Sequence, residues 1–417
     1  MANTVYLHVG TPKSGTTYLQ AVLSANKARL ADEARLLYPG RTWGQQVRAV
    51  RDILDAHPHG DHDPAVEGAW QHLVDEMAGW DGDALVSMEW LGSAGPRKAP
   101  RIVESLHPAR VEVIVTVRDL ARTIPAAWQE FVQNWNAWSW EEFVAAVSAE
   151  NPKATAAGRL FWVQQDLGRM FAVWRDVLPA GQVHLVTLPQ PGAPASELWN
   201  RFASVLGVDP RRFDTTGRGG NESLGLESTE LMLRLNRASR LSNVSWDVYN
   251  EAFKGTLAKR GLSLRKPRES AVALPESAYA WVKATAAEQV ATVQASGVHV
   301  VGDLADLEPR LRSPGVQPAA LATEALLDAA LDGLVFLGEN RTKEIARLRA
   351  ANADLRKQVK GQRTRLDKQQ KRIDAMRRRL ETRPGSPAVD TAAKRAWSTR
   401  ARGLVRRGRS VVRGGRS

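Results

Sequence analysis

The sequence predicts an α/β fold in which a parallel sheet is flanked by helices and followed by an α-helical coiled-coil extension. Three observations carry this. Short uninterrupted apolar runs alternate with helix-length stretches, the first run opens directly into a glycine-bearing turn and a helix, and the basic charge is confined to one end of the chain.

The apolar runs are Val5–Val9, Ala84–Met88, Glu112–Val117, Val183–Thr187 and Val298–Val301. Four to six residues without polar alternation fit strands covered on both faces, as in a parallel sheet. Between them lie helix-like stretches at Thr16–Leu30, Leu120–Gln133, Ala156–Val177 and Leu224–Arg240. Strands alternating with helices build a sheet with helices on both sides.

The segment Glu308–Ala320, EPRLRSPGVQPAA, reads as a linker because three prolines and a glycine interrupt any regular structure. Beyond it Leu321–Leu337 reads as an apolar helix. A heptad pattern follows, with Ile345, Asn352, Val359, Leu366, Ile373 and Leu380 at a, and Leu348, Leu355, Gln362, Gln369 and Met376 at d. Eight of these eleven are apolar, which predicts a coiled coil about 54 Å long at ~1.5 Å per residue. The breaker Arg383–Pro387 ends it. Thr391–Ser417 then carries nine Lys and Arg and no acid, and is predicted to be disordered when free. The expected organisation is an α/β domain over 1–310, a linker and helix over 311–340, a coiled coil over 341–381 and a basic tail over 382–417.

Residues 335–417 hold 25 Lys and Arg against 7 Asp and Glu, a net of +18 in a chain of +13, so residues 1–334 net −5. The polyanion-binding character therefore belongs to the tail, whose expected partner is an anionic membrane surface, nucleic acid or an acidic protein. For the coiled coil, Asn352 at a is compatible with a weak parallel homodimer through the first heptads, which leaves the C-terminal half for an acidic partner or surface. The chain has no cysteine, which excludes a disulfide framework and a thiolate metal site. The first twenty residues have no charged stretch leading into an apolar run, and no window holds eighteen uninterrupted apolar residues. These features predict a cytoplasmic protein, peripheral at the membrane if the tail engages it.

The strongest chemical signal is Val5–Gln20, a strand entering GTPKSGTTYLQ and then a helix. A glycine turn at a helix N-terminus offers unpaired backbone N–H groups and the positive end of the helix dipole to an anion, so a phosphate is expected there. Gly10 and Gly15 have the spacing of the Walker pattern, but Thr16 stands where its lysine belongs and Lys13 lies inside the loop. The fold expected is therefore P-loop-like, with a shifted lysine.

Pro12 to Thr17, PKSGTT, resembles the 5′-phosphosulfate loop of the sulfotransferases that use 3′-phosphoadenosine 5′-phosphosulfate, and the resemblance extends towards the carbohydrate sulfotransferase branch. It implies that Ser14, Gly15, Thr16 and Thr17 bind the 5′-phosphate. It also implies that Lys13 both binds the donor and stabilises the leaving oxygen. A second element of that family, an arginine at a strand end with a serine eight residues later, holds the 3′-phosphate. Here Arg118 fits, whereas Ala126 replaces the serine, and Arg122 or Thr123 are the nearby residues that could compensate. A later basic glycine loop, Arg218–Ser223, implies Arg218 as a third phosphate contact.

Sulfuryl transfer also needs a base for the acceptor hydroxyl. Glu89, following the strand Ala84–Met88, stands where the carbohydrate branch has a glutamate, so it is the expected base, with His8 the alternative. The resemblance implies a carbohydrate or glycolipid hydroxyl as acceptor and no metal. The cluster His57, His59 and His62 has no zinc-like spacing. Trp128, Trp135, Trp138 and Trp140 are candidates to line the acceptor pocket. Two other functions stay open: a nucleotide kinase, which the displaced lysine opposes, and a scaffold whose α/β domain has lost its chemistry.

Overall fold

The computed structural model describes residues 2–57, 60, 63–216, 224–310 and 315–381. It separates into two compact units, residues 1–338 and 339–417. Arg218 and the basic tail lie outside the described residues.

The first unit is built on six parallel strands: β1 (Thr4–Gly10), β2 (Leu36–Leu37), β3 (Asp83–Ser87), β4 (Arg110–Val117), β5 (Val183–Thr187) and β6 (His299–Val301). Their order is β2-β3-β1-β4-β5-β6. Every pairing is parallel, with Leu7 opposite Val86 on one side and Val113 on the other. All five expected strands are present, and a sixth, two residues long, is added at the edge.

The helices on and around this sheet are α1 (Thr16–Ala25), α2 (Lys27–Ala34), α3 (Trp43–Leu54), α4 (Ala69–Ala78), α5 (Lys98–Ser105), α6 (Leu120–Gln133) and α7 (Trp140–Val147). They continue with α8 (Ala156–Gln165), α9 (Leu167–Arg175), α10 (Glu197–Val205) and α11 (Leu226–Leu241). Next, α12 (Trp246–Val248) runs into a π-helical segment at Tyr249–Gly261, and α13 (Tyr279–Ser296) closes the domain. Two expected single helices are each divided. Asn26 ends α1 because its side-chain amide donates to Val22 O at 2.9 Å and to Asp214 O at 2.8 Å, anchoring a distant loop. Asp166 ends α8 and caps α9, accepting from Arg169 N at 2.9 Å.

Side-chain alternation sorts the strands onto two faces. Val5, Leu7 and Val9 join Val113, Val115 and Val117 in a core covered by α3, α4, α5 and α9, while Tyr6, Leu85 and Ile114 meet α1 and α10 around Trp199 and Phe202. A third core holds no strand residues and packs α6, α7, α8 and α11 against the π-helical segment. The four tryptophans expected at the acceptor pocket belong to it. Trp128 and Trp140 are fully buried with ring centroids 5.3 Å apart, and Trp128 Nε1 donates to Trp138 O at 3.0 Å. Trp135 and Trp138 pack on its rim.

The final described helix, α14 (Thr323–Glu381), begins within the first unit and continues into the second. Its Leu326 and Ala329 are buried, and Asp332 pairs with Arg268 at 2.5 Å. No helix among the described residues is long and apolar enough to cross a membrane.

Because Trp128 fills the centre of the third core, Trp128→Ala should act on stability. A loss of ~3–5 kcal/mol is expected, measured by urea unfolding. A loss below ~1 kcal/mol would show that the site collapses around the missing ring.

Candidate active site

The chain order of the strands reverses direction at β1, which lies between β3 and β4. In open parallel sheets the crevice beyond the strand carboxyl ends at such a reversal is where ligands bind. Here that crevice is a cavity of about 670 Å³. The carboxyl end of β1 delivers the loop Thr11–Ser14, that of β3 delivers Glu89, and that of β4 delivers Arg118.

The loop has the backbone of an anion cradle. Gly10 and Gly15 adopt φ values of 83° and 88°, and Lys13 between them has φ of 68°. A Cβ on Gly10 would stand 2.6 Å from Glu89 Cβ, so only glycine lets the loop and the proposed base approach this closely. Gly15 caps α1 without any side-chain capping bond, and the first turn of α1 has no acid. The N-terminal dipole of α1 is thus left to the cavity.

Ser14 is buried, and its hydroxyl donates to Thr11 O at 2.5 Å. Since that bond uses its one proton, Ser14 Oγ must accept from Thr116, 2.6 Å away. Thr116 Oγ1 then accepts from His8 Nε2 at 3.1 Å, and His8 Nδ1 accepts from Ser87 Oγ at 2.8 Å. The chain of donors fixes the His8 tautomer. Burial pushes its pKa down to about 3, so it stays neutral. His8 lines no part of the cavity; it ties β3, β1 and β4 together beneath the loop.

The expected residues do converge. Lys13, Gly15, Thr16, Thr17, Glu89, Arg118 and Ala126 all line the one cavity. Thr17 is exposed at its mouth and Thr16 is buried at its wall. Arg118 Nη1 donates to Lys13 O at 3.4 Å, and Gln165 Nε2 donates to Pro12 O at 3.0 Å, bracing the loop from two sides. Ser14, expected with them, is fully buried and does not line the cavity, its hydroxyl being used beneath the loop. Arg122 is committed to Asp119 and to Pro189 O, and the Thr123 hydroxyl donates to Arg118 O at 3.3 Å. Neither lines the main cavity.

Five further residues complete the walls. Gln20, one turn beyond Thr16 on α1, donates through Nε2 to Glu89 Oε2 at 3.0 Å and to Ser87 O at 3.1 Å, orienting the carboxyl. Glu130, one turn beyond Ala126 on α6, forms an ion pair with Lys13. Lys259 and Lys266 enter from the π-helical segment and the turn after it, and Lys266 also borders an adjoining cavity of about 330 Å³ shared with Arg118 and Ala126. Trp43, 42% exposed at the start of α3, supplies an aromatic face where the expected tryptophans supply none. The helical spacings of Gln20 and Glu130 are readable signals; Trp43 and the two lysines carry none in sequence.

The two carboxylates are pushed apart. Burial raises the Glu89 carboxyl above its ordinary range, and Glu130 adds to the rise, against the opposing hydrogen bond from Gln20 and charge of Lys13. Burial acts on Glu130 in the same direction, but Lys13, Lys259 and Lys254 overcome it and hold that carboxyl below its ordinary range. Two carboxyls lining one cavity are thus displaced to opposite sides of their ordinary range. Among the described residues no group of three or more His, Asp or Glu side chains could hold a metal ion.

No protein-family model matches the chain. No curated protein matches it either. Among solved structures it is similar to a sulfotransferase from Alicyclobacillus acidocaldarius, at 15% identity, with a TM-score of 0.35, over 60% of this chain and 99% of that one. A likeness that distant carries no part of the assignment that follows.

The raised Glu89 carboxyl has a consequence for stability. Its folded form keeps the proton longer than the unfolded chain, so stability is intact below the ordinary value of 4.5 and falls as pH rises through the raised folded value. Glu89→Gln should therefore be more stable than the parent at pH 8, with the difference disappearing near pH 4, as read by urea unfolding across that range. A difference independent of pH would contradict the burial of the charged form.

Proposed function

We propose that the first unit is a sulfotransferase that moves a sulfuryl group from 3′-phosphoadenosine 5′-phosphosulfate to a carbohydrate or glycolipid hydroxyl. The observation that carries this is the meeting, in one cavity, of an uncapped glycine loop holding Lys13, the half-buried Glu89 and Arg118.

The residues suit the donor. The Gly15–Thr17 turn offers backbone N–H groups and hydroxyls to the 5′-phosphate, and Arg118 offers a planar guanidinium to the 3′-phosphate. Ala126 lacks a hydroxyl, but Lys266 lies with Arg118 and Ala126 along the wall common to the two cavities, so a cation stands near that gap. Its charge serves the same anion.

Glu89 then takes the proton of the acceptor hydroxyl as the acceptor oxygen bonds to sulfur. The bond from sulfur to the phosphate oxygen breaks, and Lys13 meets the negative charge left on that oxygen. A carboxyl raised towards neutral pH is a better base than an ordinary one, which favours Glu89 over Glu130 for this role. Electrostatic help from Lys13 counts most in the transition state, where the charge develops. Trp43 provides a flat apolar face on which a sugar ring can stack, and Ser24 lies along the same cavity.

The direct test incubates the full chain and the unlabelled donor with cell extract and searches by mass spectrometry for products heavier by ~80 Da, the SO₃ gained when an acceptor hydroxyl becomes a sulfate ester and the donor phosphate keeps the bridging oxygen. Lys13→Ala should lower the rate of that transfer by at least ~100-fold, the scale of losing one donor to a developing oxyanion. Transfer at the parent rate by a folded Lys13→Ala chain would remove the lysine from the chemistry.

Arg118 is tested by binding alone. Arg118→Ala should weaken 3′-phosphoadenosine 5′-phosphate by ~10-fold or more while leaving adenosine 5′-phosphate nearly unchanged, because a charge-assisted bidentate contact is lost only with the former. Equal weakening of both nucleotides in calorimetric titrations would refute the assignment.

A further inference from the structure

In the second unit, the eight apolar a and d residues between Ile345 and Leu380 are 37–63% exposed, so no described residue of the chain covers the seam. The seam is narrow, recurs every 3.5 residues and is interrupted by Asn352, Gln362 and Gln369. A narrow stripe of this kind fits a neighbouring helix, whereas insertion into a lipid surface favours a broad apolar face.

The charges beside the seam decide which helix. The e positions are Arg349, Arg356, Arg363, Gln370 and Arg377, and the g positions are Glu344, Ala351, Gln358, Arg365, Arg372 and Arg379. Apart from Glu344, the acids of this stretch lie elsewhere on the helix: Asp354 is at c, and Asp367 and Asp374 are at b. Some of them are engaged within the same helix. Asp354 lies 3.7 Å from Lys357, and Gln370 donates to Asp374 at 2.9 Å.

A second copy is a poor complement in either orientation. In a parallel pair Glu344 would face Arg349 favourably, but Arg372 would face Arg377, and the pairs between them join arginine to a neutral residue. In a fully overlapped antiparallel pair e faces e, which sets arginine against arginine at three of five pairs, while g faces g, where Glu344 meets Arg379 and the other arginines meet neutral residues. We infer that this face docks an acidic amphipathic helix of another protein, with apolar residues at its a and d positions and Glu or Asp flanking them. The arginines then select the partner by charge while the apolar seam supplies the contact. Asn352, Gln362 and Gln369 would set the register by requiring polar residues opposite them.

The test uses the full chain at 0.15 M salt and a synthetic five-heptad peptide. The peptide has Ile and Leu at a and d, polar residues opposite Asn352, Gln362 and Gln369, and Glu at e and g. A control peptide has the same composition in scrambled order. The expected result is a one-to-one complex with the patterned peptide, at least ~10-fold tighter than with the scrambled one. The combined variant R349E, R356E, R363E and R377E, checked for helix content by circular dichroism, should bind the patterned peptide at least ~10-fold more weakly than the parent.

Equal binding of the two peptides would overturn the inference, since attraction to any polyanion would then explain it. So would failure to bind the patterned peptide. Sedimentation of the chain alone as a stable dimer at micromolar concentration would assign the seam to a second copy instead.

Discussion

The site depends on a buried, uncharged hydrogen-bond chain that runs across the ends of three strands. Ser87, His8, Thr116 and Ser14 are each 0% exposed and link β3, β1, β4 and the glycine loop in turn. Each strand contributes one member and also one cavity-lining residue a few positions later. Because buried polar groups are costly unless all their bonds are made, the chain tolerates little change in the relative heights of the strand ends. Glu89, Lys13 and Arg118 inherit that rigidity. Gly10 completes the arrangement by letting the loop pass against Glu89 without a Cβ in the way.

Charge is placed on this frame with opposed effects. The first unit is acidic overall, yet Lys13, Arg118, Lys259 and Lys266 gather around one cavity. Glu130 is paired with Lys13 and stays ionised, which keeps the cavity from being a uniform cationic surface. Glu89 is half-buried, and desolvation raises its carboxyl above the ordinary range. Two carboxyls in one cavity therefore differ in behaviour because one has a cationic partner and the other is governed by burial.

Much of the fold was legible because parallel strands buried on both faces leave continuous apolar runs. The edge strand Leu36–Leu37 was missed, since two residues make no run, and Asn26 and Asp166 were not read as breaks because their effect depends on side-chain bonds. The lining of the candidate cavity was legible wherever one short segment carries its own chemistry, as at Lys13, Gly15–Thr17, Arg118 and Glu89. It was not legible where distance in sequence hides proximity. Lys259 reaches the cavity from a π-helical segment with no simple period and Lys266 from the turn after it, and Trp43 is a single residue at a helix start. The count of tryptophans near Trp128 was a poor guide, because aromatic residues suit a core and a sugar platform equally well.

We propose that the shifted lysine and Arg118 make a site for a nucleotide with phosphates at both the 3′ and 5′ positions. Calorimetric titration of the full, unsubstituted chain with 3′-phosphoadenosine 5′-phosphate, and separately with ATP and magnesium, tests it most directly. The account predicts saturable one-site binding of the bisphosphate at least ~10-fold tighter than that of ATP, because only the former engages the arginine and the loop together. Tighter binding of ATP with magnesium, or no binding of the bisphosphate, would contradict it.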